Sequence, residues 1–186
     1  MEHLETRRIL LRPFTPADWD TVYQISTDPD TTKYLCHFGN AGSTPEGDAR
    51  RFLSYATEAW QKDPLRAREY ALVLKETGEV MGDGSIELLD DANACAEIGW
   101  ILLPRFRGKG YATEMGRELL RFGFETLGVQ RIIAHCDARN APSYHVMERL
   151  GMRFAHLAPA ARPAKEQNGP KGDEATYEIL RENWEA

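Results

Sequence analysis

Cysteine is scarce in this chain of 186 residues, which contains only Cys36, Cys95 and Cys136. Their number is odd, they lie far apart, and no Cys-x-x-Cys pair occurs. A disulfide framework and a zinc site are therefore not indicated. We expect three thiols in the core and no bound metal.

A long apolar run and an excess of positive charge are also missing. No apolar segment approaches the ~20 residues that cross a bilayer, and residues 1–5 (MEHLE) are too acidic and polar for a secretory signal. The net charge of −6 at pH 7 argues against broad nucleic-acid binding, which usually needs a basic face. We therefore expect a cytoplasmic protein with no membrane or nucleic-acid partner.

The composition is ordinary, with 42% hydrophobic and 28% charged residues, and we expect residues 1–186 to form a single domain. Apolar periodicity and turn residues predict strands at residues 8–14, 70–74, 80–88, 94–103, 131–136, 152–157 and 176–180. They predict helices at residues 15–26, 44–62, 111–127 and 142–150. Residues 158–173 are rich in Ala, Pro and Gly and are predicted to be a mobile connection in this mixed α/β domain.

Cations and glycines cluster between an apolar strand and a predicted helix, in residues 104–114 (PRFRGKGYATE). Glycine lets the backbone curl closely around a ligand, and the following helix adds unpaired N–H groups and the positive end of its dipole. Three side chains, Arg105, Arg107 and Lys109, supply full positive charges. The segment is therefore suited to hold a polyphosphate.

The spacing of this loop excludes two common polyphosphate sites. A mononucleotide P-loop has four residues between its glycines and then Lys-Ser/Thr, whereas a single residue separates Gly108 from Gly110. A dinucleotide loop needs a third glycine, but Ala112 and Thr113 follow here. What remains is Arg-x-x-Gly-x-Gly after a strand, and by itself this pattern is equally typical of a solvated turn before a helix.

Other stretches decide between a ligand loop and a simple turn. Residues 4–14 (LETRRILLRPF), 28–34 (DPDTTKY) and 96–101 (AEIGWI) precede the loop, and residues 140–152 (NAPSYHVMERLGM) follow it. With the loop, they resemble the RimJ/RimL-like branch of the GCN5-related N-acetyltransferase (GNAT) family, in which this loop binds the pyrophosphate of acyl-CoA. One departure from the branch is Met152, which replaces the usual aromatic residue.

The resemblance implies a fold and a reaction. The fold is α/β (α+β), the acyl-CoA N-acyltransferase fold, with a mixed, mostly antiparallel sheet of about seven strands, a splayed central pair and flanking helices. The reaction transfers the acetyl group of acetyl-CoA to a primary amine by direct attack in a ternary complex. The oligomeric state is left open, with a homodimer as one candidate.

The resemblance also implies a set of residues that bind acetyl-CoA. The strand before the loop would pair with the pantetheine arm through Ile101, Leu102 and Leu103. The loop residues that would hold the pyrophosphate are Arg107, Gly108, Lys109, Gly110, Tyr111, Ala112 and Thr113. Asn140 and Ser143 would reach the pantetheine, although Asn-Ala-Pro is equally suited to cap the helix that it opens.

Acyl transfer to an amine needs a base, because an alkylammonium with a pKa of roughly 10 has no lone pair at pH 7. Glu97 on the central strand is our first candidate, and Glu87 and His135 are the alternatives. A strand glutamate that only faces solvent, and a strand-end histidine that is satisfied by a neighbour, are the more frequent situations.

The departing thiolate needs a proton or another form of stabilisation. Many relatives supply it from a tyrosine four residues after the small residue of the Asn motif, but Met147 stands there in this chain. Tyr144 is a poor substitute, because it points about 100° away from Ser143 around the helix. Ser143 is therefore our candidate, with capping of the helix start as its alternative role.

The acceptor is not identified by the sequence. The RimJ/RimL likeness favours the α-amine of a protein or peptide, yet similar chains acetylate polyamines, aminoglycosides or amino acids. A catalytically weak CoA-binding sensor is the main alternative, because the tyrosine is missing. A protein that uses the loop for ATP or NAD is a further alternative, against which the flanking stretches argue.

Overall fold

The computed structural model describes residues 3–62, 66–90, 92 and 94–184, and in them the chain forms an eight-stranded sheet with helices packed on it. The strands are β1 (Leu4–Glu5), β2 (Ile9–Pro13), β3 (Ala67–Leu74), β4 (Val80–Leu88), β5 (Cys95–Leu102), β6 (Arg131–Asp137), β7 (Arg153–Arg162) and β8 (Gly172–Leu180). Their spatial order is β1-β2-β3-β4-β5-β6-β8-β7, and β5 with β6 is the parallel pair among antiparallel neighbours. The expected mixed, mostly antiparallel sheet is confirmed, with the short β1 as an additional edge strand.

The helices lie against different parts of this sheet. They are α1 (Trp19–Thr27), α2 (Pro29–Thr32), α3 (Pro45–Ala59), α4 (Tyr111–Arg121) and α5 (Ala141–Arg149). α1 contacts β4 and α3 contacts β3, whereas α4 contacts β4 and β5. Gly84 faces α4, because a Cβ there would lie 3.1 Å from the sulfur of Met115. Since side chains alternate along a strand, Asp83 and Glu87 face the opposite side of β4.

The central strands part after a short parallel ladder, as the splayed pair of the predicted fold requires. β5 and β6 pair only through residues 95–97 and 131–133, with Glu97 opposite Ile133 as the last pair. Beyond this point, which we call the fork, β5 continues to Leu102 and β6 to Asp137. The fork therefore leaves a gap between two strands at the centre of the sheet.

Glycine is required where β4 approaches the end of β5. The φ angle of Gly82 is 157°, and a Cβ at this position would lie 1.9 Å from the carbonyl oxygen of Ile101. The pairing of β3 with β4 also shifts register next to this residue, between Leu72 and Val73. Gly82 therefore permits a close approach of β4 to the end of β5 beside this irregularity.

We predicted a mobile connection at residues 158–173, and this prediction is wrong. Both ends of the segment belong to strands, and its middle is held by hydrogen bonds. β7 extends to Arg162 and β8 already begins at Gly172. Between them, Lys165 Nζ donates to the carbonyl of Phe38 at 2.7 Å and to Asn40 Oδ1 at 2.9 Å. Composition could not reveal this anchor, because its acceptors lie in a distant loop.

Two further expectations concern α4 and the thiols. The predicted helix 111–127 is regular only as far as Arg121, after which Phe122–Leu127 continue as a π-helical stretch. All three cysteines are free, but only Cys136 is buried in the core. None of the helices within the described residues combines the length and the apolar character needed to cross a bilayer.

Candidate active site

The glycine loop is an open cradle at the N-terminus of α4. A 3₁₀ turn, Pro104–Phe106, follows β5, and Gly108 and Gly110 then have φ angles of 73° and 80°, which residues with side chains rarely adopt. Gly110 is the N-cap of α4. In the part of the chain that the structure describes, the backbone N–H groups of residues 110–113 have no backbone acceptor. These four donors are available to an anion.

Arg8, just before β2, holds the loop in place. Its backbone N–H and its Nε donate to the carboxylate of Glu114 at 2.8 and 2.6 Å, and its Nη1 donates to the carbonyl of Lys109 at 3.1 Å. Its guanidinium carbon lies 4.4 Å from the ring centroid of Tyr111. Burial acts to raise the pKa of Glu114, but hydrogen bonds from Thr6 and Arg8 outweigh it and keep the pKa below its ordinary value. The carboxylate therefore remains a charged partner for Arg8.

A cleft of about 1290 Å³ lies between the loop, the end of β5 and the start of α5. Six cations line it against two carboxylates, in a chain whose net charge is −6. The cations are Arg7, Arg8, Lys33, Arg107, Arg117 and Arg149, and the carboxylates are Asp30 and Glu114. We call this region the cationic cleft. Its charge and the loop's free N–H groups fit a polyphosphate ligand.

Ten of the twelve predicted binding residues line the cationic cleft: Ile101, Leu102, Arg107, Gly108, Gly110, Tyr111, Ala112, Thr113, Asn140 and Ser143. Leu103 instead belongs to the core, because it is 2% exposed and its N–H donates to the carbonyl of Met81 at 3.0 Å. The ammonium of Lys109 lies 5.9 Å from the ring centroid of Phe106, beside the cleft. These two residues are the members of the predicted set that do not line the cationic cleft.

Several cations of the cleft were missed by sequence reasoning. Arg117 follows Thr113 by one turn of α4, and this i, i+4 spacing is a signal that could have found it. Arg7 and Arg149 offer no such signal, since they reach the cleft from opposite ends of the chain. Only the assembled fold brings them to the loop.

Arg107 joins the loop to two other elements. Its Nε donates to the carbonyl of Leu102 at 2.9 Å, and its Nη2 donates to Thr31 Oγ1 at 2.5 Å. The guanidinium is thereby fixed at the wall of the cleft. A planar fork that is held in this way loses little freedom when it binds a phosphate.

The start of α5 presents two polar side chains to the cleft. Asn140 is the N-cap of α5, but its side chain makes no capping hydrogen bond. Ser143, half-buried, donates its backbone N–H to the carbonyl of Asn140 at 3.0 Å. Met147, at the position where many relatives have tyrosine, is 1% exposed and lies in the core. Asn140 thus occupies the N-cap position that its sequence context favoured, but its side chain makes no capping hydrogen bond.

Carboxylates gather on the side of the sheet opposite α4, and we call this group the acidic face. Its members are Glu69, Asp83, Glu87, Glu97 and Glu174. The register supports a shared face, because Glu87 pairs with Glu97 across β4 and β5. On β8, Glu174 lies two residues from Thr176, which pairs with His135 of β6.

Glu97 stands at the fork and differs from its partner Glu87 in its surroundings. Burial raises the pKa of Glu97 to about 7, with Glu87 and Glu174 adding to the effect and Arg162 opposing it. Glu87 is exposed. A carboxyl group with a pKa near neutrality is poised both to take and to release a proton at pH 7.

His135 lies between two of these carboxylates. Its Nε2 is 3.7 Å from Glu97 Oε2, its Nδ1 is 3.7 Å from Glu174 Oε1, and Nδ1 also lies 2.9 Å from Thr176 Oγ1. Burial lowers the pKa of His135, Glu174 opposes the shift, and Arg162 adds to it. Arg162 Nη1 in turn donates to Glu174 Oε2 at 2.9 Å. The lowered pKa favours the neutral form of the imidazole.

Glu69 and Asp83 form a buried carboxyl pair on β3 and β4. They are 8% and 4% exposed. Burial raises the pKa of both groups, and their mutual repulsion and hydrogen bond favour a state in which the pair holds one proton. Sequence reasoning did not single out either residue, because a carboxylate in a strand ordinarily faces solvent.

Comparisons with known proteins agree with this geometry. The family model of the acetyltransferase (GNAT) domain matches residues 8–153. The chain is 31% identical to the uncharacterised N-acetyltransferase YnaD of Bacillus subtilis, over 98% of this chain and 99% of that protein. A GNAT-family acetyltransferase from Bacillus anthracis, known from its crystal structure, matches at 30% identity with a TM-score of 0.81, covering 97% and 99% of the two chains.

A more distant structure shares the fold. RimJ of Mycobacterium smegmatis, solved in complex with CoA-disulfide, matches with a TM-score of 0.78 at 21% identity, covering 94% of this chain and 82% of that one. The glycine cradle, the cationic cleft and the fork are thus found on a backbone that several acetyltransferases share. The chain belongs to the GCN5-related N-acetyltransferase family and is an acetyl-CoA-dependent N-acetyltransferase.

Proposed function

We propose that the protein transfers the acetyl group of acetyl-CoA directly to a primary amine that binds at the acidic face. Glu97 is the base, and Ser143 donates a proton to the departing thiolate. One observation carries the proposal. Strand β5 contributes Trp100 to the lining of the cationic cleft, and three residues earlier, at the fork, it carries Glu97, whose pKa is raised to about 7.

The donor side of the proposal rests on charge and on unpaired donors. Acetyl-CoA supplies the activated acetyl group as a thioester. The N–H groups of residues 110–113 and the guanidinium of Arg107 are suited to its pyrophosphate. CoA also carries a ribose phosphate, which gives cations beyond the loop, such as Arg117 and Arg149, a role in binding.

Glu97 is favoured over the other candidate bases by its surroundings. An acceptor ammonium must lose a proton before its nitrogen can attack. With a pKa near 7, Glu97 is partly ionised at neutral pH and is a stronger base than an ordinary carboxylate. His135 Nε2 lies 3.7 Å from Glu97 Oε2, so the two candidate bases are neighbours at the fork.

Ser143 is favoured as the partner of the thiolate because it lines the cleft and its hydroxyl has no partner among the described residues. An unengaged hydroxyl can donate to sulfur as the C–S bond breaks. The buried Met147 has no proton to give. As Ser143 donates to sulfur, it regains a proton from the nitrogen of the tetrahedral intermediate. Glu97 takes the other proton of the amine, so the two residues together account for both protons that it loses.

The acidic face supports a positively charged acceptor. Carboxylates that surround an amine favour its binding as an ammonium ion, and the nearest of them can then remove its proton. A protein α-amine and a small-molecule amine both meet this requirement. The RimJ likeness makes the N-terminus of a protein our first acceptor class, with polyamines, aminoglycosides and amino acids as the others.

The test has two parts. First, thermal unfolding is followed with acetyl-CoA, CoA, ATP and NAD, and we expect stabilisation by the first two only, because a ligand that binds the folded state raises the melting temperature. Second, thiol release from acetyl-CoA is measured with peptides, polyamines, aminoglycosides and amino acids. Thiol release with one class identifies the acceptor.

Each alternative has its own outcome in the same experiment. Stabilisation by acetyl-CoA without thiol release for any amine would indicate a CoA-binding sensor. Stabilisation by ATP or NAD in preference to acetyl-CoA would indicate a nucleotide-binding protein. Either result would overturn the proposed function.

A further inference from the structure

The proposed reaction releases one proton into solvent in each turnover. An ammonium acceptor loses two protons when it becomes an amide, and the leaving thiolate takes up one of them. The other proton is taken by Glu97, which is half-buried at the fork. This proton must leave before Glu97 can act again. The Glu97 side chain is 37% exposed in the free protein, but an acceptor bound at the acidic face would cover it, so the site needs a second route outward.

A line of side chains runs from Glu97 to the protein surface. Glu97 Oε2 lies 3.7 Å from His135 Nε2, His135 Nδ1 lies 2.9 Å from Thr176 Oγ1, and Thr176 Oγ1 lies 3.4 Å from His156 Nε2. His156 is exposed. The four residues belong to β5, β6, β8 and β7, which are consecutive in the sheet.

The sheet register explains why these side chains are aligned. Thr176 is the pairing partner of His135 on one side and of His156 on the other. Paired residues of neighbouring strands present their side chains to the same face. The alignment is thus fixed by backbone pairing and does not depend on flexible side chains alone.

We propose that His135, Thr176 and His156 form a proton relay that connects Glu97 with solvent. The proposal rests on the proposed function, since it takes Glu97 as the base. Protonated Glu97 gives its proton to His135 Nε2, while His135 Nδ1–H gives its proton to Thr176 Oγ1. The hydroxyl proton of Thr176 passes to His156 Nε2, from which it enters solvent. Each transfer breaks one bond to hydrogen and forms one, and no other reactant is needed.

The groups around His135 suit this role. Glu174 and Arg162 face the ring from β8 and β7, and they pair with each other at 2.9 Å. Burial lowers the pKa of His135, Glu174 opposes the shift and Arg162 adds to it, and the net effect favours the neutral imidazole, whose Nε2 can accept a proton. A single hydrogen bond to Thr176 would satisfy a strand-end histidine. A purely structural role of that bond would not, however, account for Glu97 on one side of the His135–Thr176 pair and His156 on the other.

The decisive experiment compares His156→Ala with His3→Ala. His3 is an exposed histidine beside β1, at the opposite edge of the sheet from β7. In a dilute buffer that accepts protons poorly, we expect kcat of His156→Ala to fall several-fold with KM for acetyl-CoA unchanged. Added imidazole should restore kcat, because a small diffusible base replaces the missing relay end. His3→Ala should show neither effect.

A second pair of variants tests the middle of the line. Thr176→Val removes the hydroxyl at nearly constant size, whereas Thr176→Ser retains it. We expect kcat to fall in the valine variant and to remain near the parent value in the serine variant. Nitrogen NMR of the imidazoles should show His135 protonated on Nδ1 in the parent, and this signal should change in Thr176→Val only.

The outcomes separate the relay from the reaction. If the parent releases thiol but His156→Ala matches it at every buffer concentration, the relay is wrong and the proposed function stands. His135 protonated only on Nε2 would also overturn the relay. If the parent releases no thiol with any amine, the proposed function fails and the relay fails with it.

Discussion

The cationic cleft and the acidic face share β5 but have opposite charge and opposite origins in the chain. The cleft is built around one continuous loop. The positive φ angles of its glycines expose the N–H groups at the start of α4, and nearby cations add to their positive potential. The acidic face is assembled by strand register, from the consecutive strands β3, β4 and β5 and from the distant β8. Under the proposed function, acetyl-CoA and the acceptor ammonium would therefore bind in regions of opposite charge. We expect a substitution in one region to leave the role of the other intact.

The largest expected effect comes from removing the base on the acidic face. Glu97→Gln should lower kcat by about a hundredfold, because general-base catalysis contributes at least this much in many enzymes. In the parent, kcat should rise with pH through about 7, the pKa of Glu97. The variant should lose this rise. Steady-state kinetics from pH 6 to 9 provides the measurement.

Glu87→Gln is the matched control for this prediction. Glu87 is the pairing partner of Glu97 but is exposed. We expect a modest change in kcat, together with a retained pH profile. If Glu87→Gln shows the larger loss, the assignment of the base must be exchanged between the two strands.

The next largest effect concerns the cationic cleft. Arg107→Ala removes a charge-assisted contact worth roughly 1.5 to 3 kcal/mol, which corresponds to about a ten- to hundredfold loss of acetyl-CoA affinity. Arg105→Ala is the control, because Arg105 is bonded to Gln24 and Glu79 and does not line the cleft. Calorimetric titration of acetyl-CoA into both variants distinguishes them. Equal affinities would contradict the predicted role of Arg107.

A smaller effect is expected from the residue that holds the loop. Arg8→Ala removes the donors to Glu114 and Lys109 and should weaken acetyl-CoA binding about threefold to tenfold, the equivalent of roughly 1 kcal/mol. Lys75→Ala is a suitable control, because Lys75 bonds Glu5 and Thr6 near the same strand without touching the loop. An unchanged affinity in Arg8→Ala would show that the loop keeps its shape without this clamp.

Much of the donor side could be predicted from the sequence because its signals are local. The one-residue spacing of Gly108 and Gly110 reflects the positive φ angles that both residues adopt. Asn140 and Ser143 form part of a short motif, and both line the cleft. The sequence could not indicate that Leu103 is buried away from the cleft, because apolar residues at the end of a strand look alike whether they line a ligand site or the core.

The acidic face could be predicted only in part, since its members meet through register. Glu97 and His135 were candidates, but nothing in the sequence places them 3.7 Å apart or adds Thr176 and His156 to the line. Lys165 shows the same limit. Its acceptors are 125 or more positions away, so a composition-based prediction of mobility missed its anchor.

The smallest expected effect concerns the stability of the fold. It tests whether ionisation of the buried carboxyl pair at high pH destabilises the folded protein. Asp83 is buried beside Glu69, and burial raises its pKa well above the ordinary value. Folding therefore favours the protonated pair. This stabilisation is complete at pH values below the ordinary pKa and is lost as the pH rises through the folded pKa. The melting temperature of the parent should accordingly decline from pH 5 to 9.

Asp83→Asn keeps an uncharged hydrogen-bond donor beside Glu69 but cannot ionise. We expect its melting temperature to decline less over the same range, so that the variant is more stable than the parent at pH 8. Asp20→Asn, at an exposed position of α1, should follow the parent curve. Parallel curves for Asp83→Asn and the parent would mean that the buried pair ionises without cost. In that case the raised pKa values of the acidic face would need an explanation other than burial.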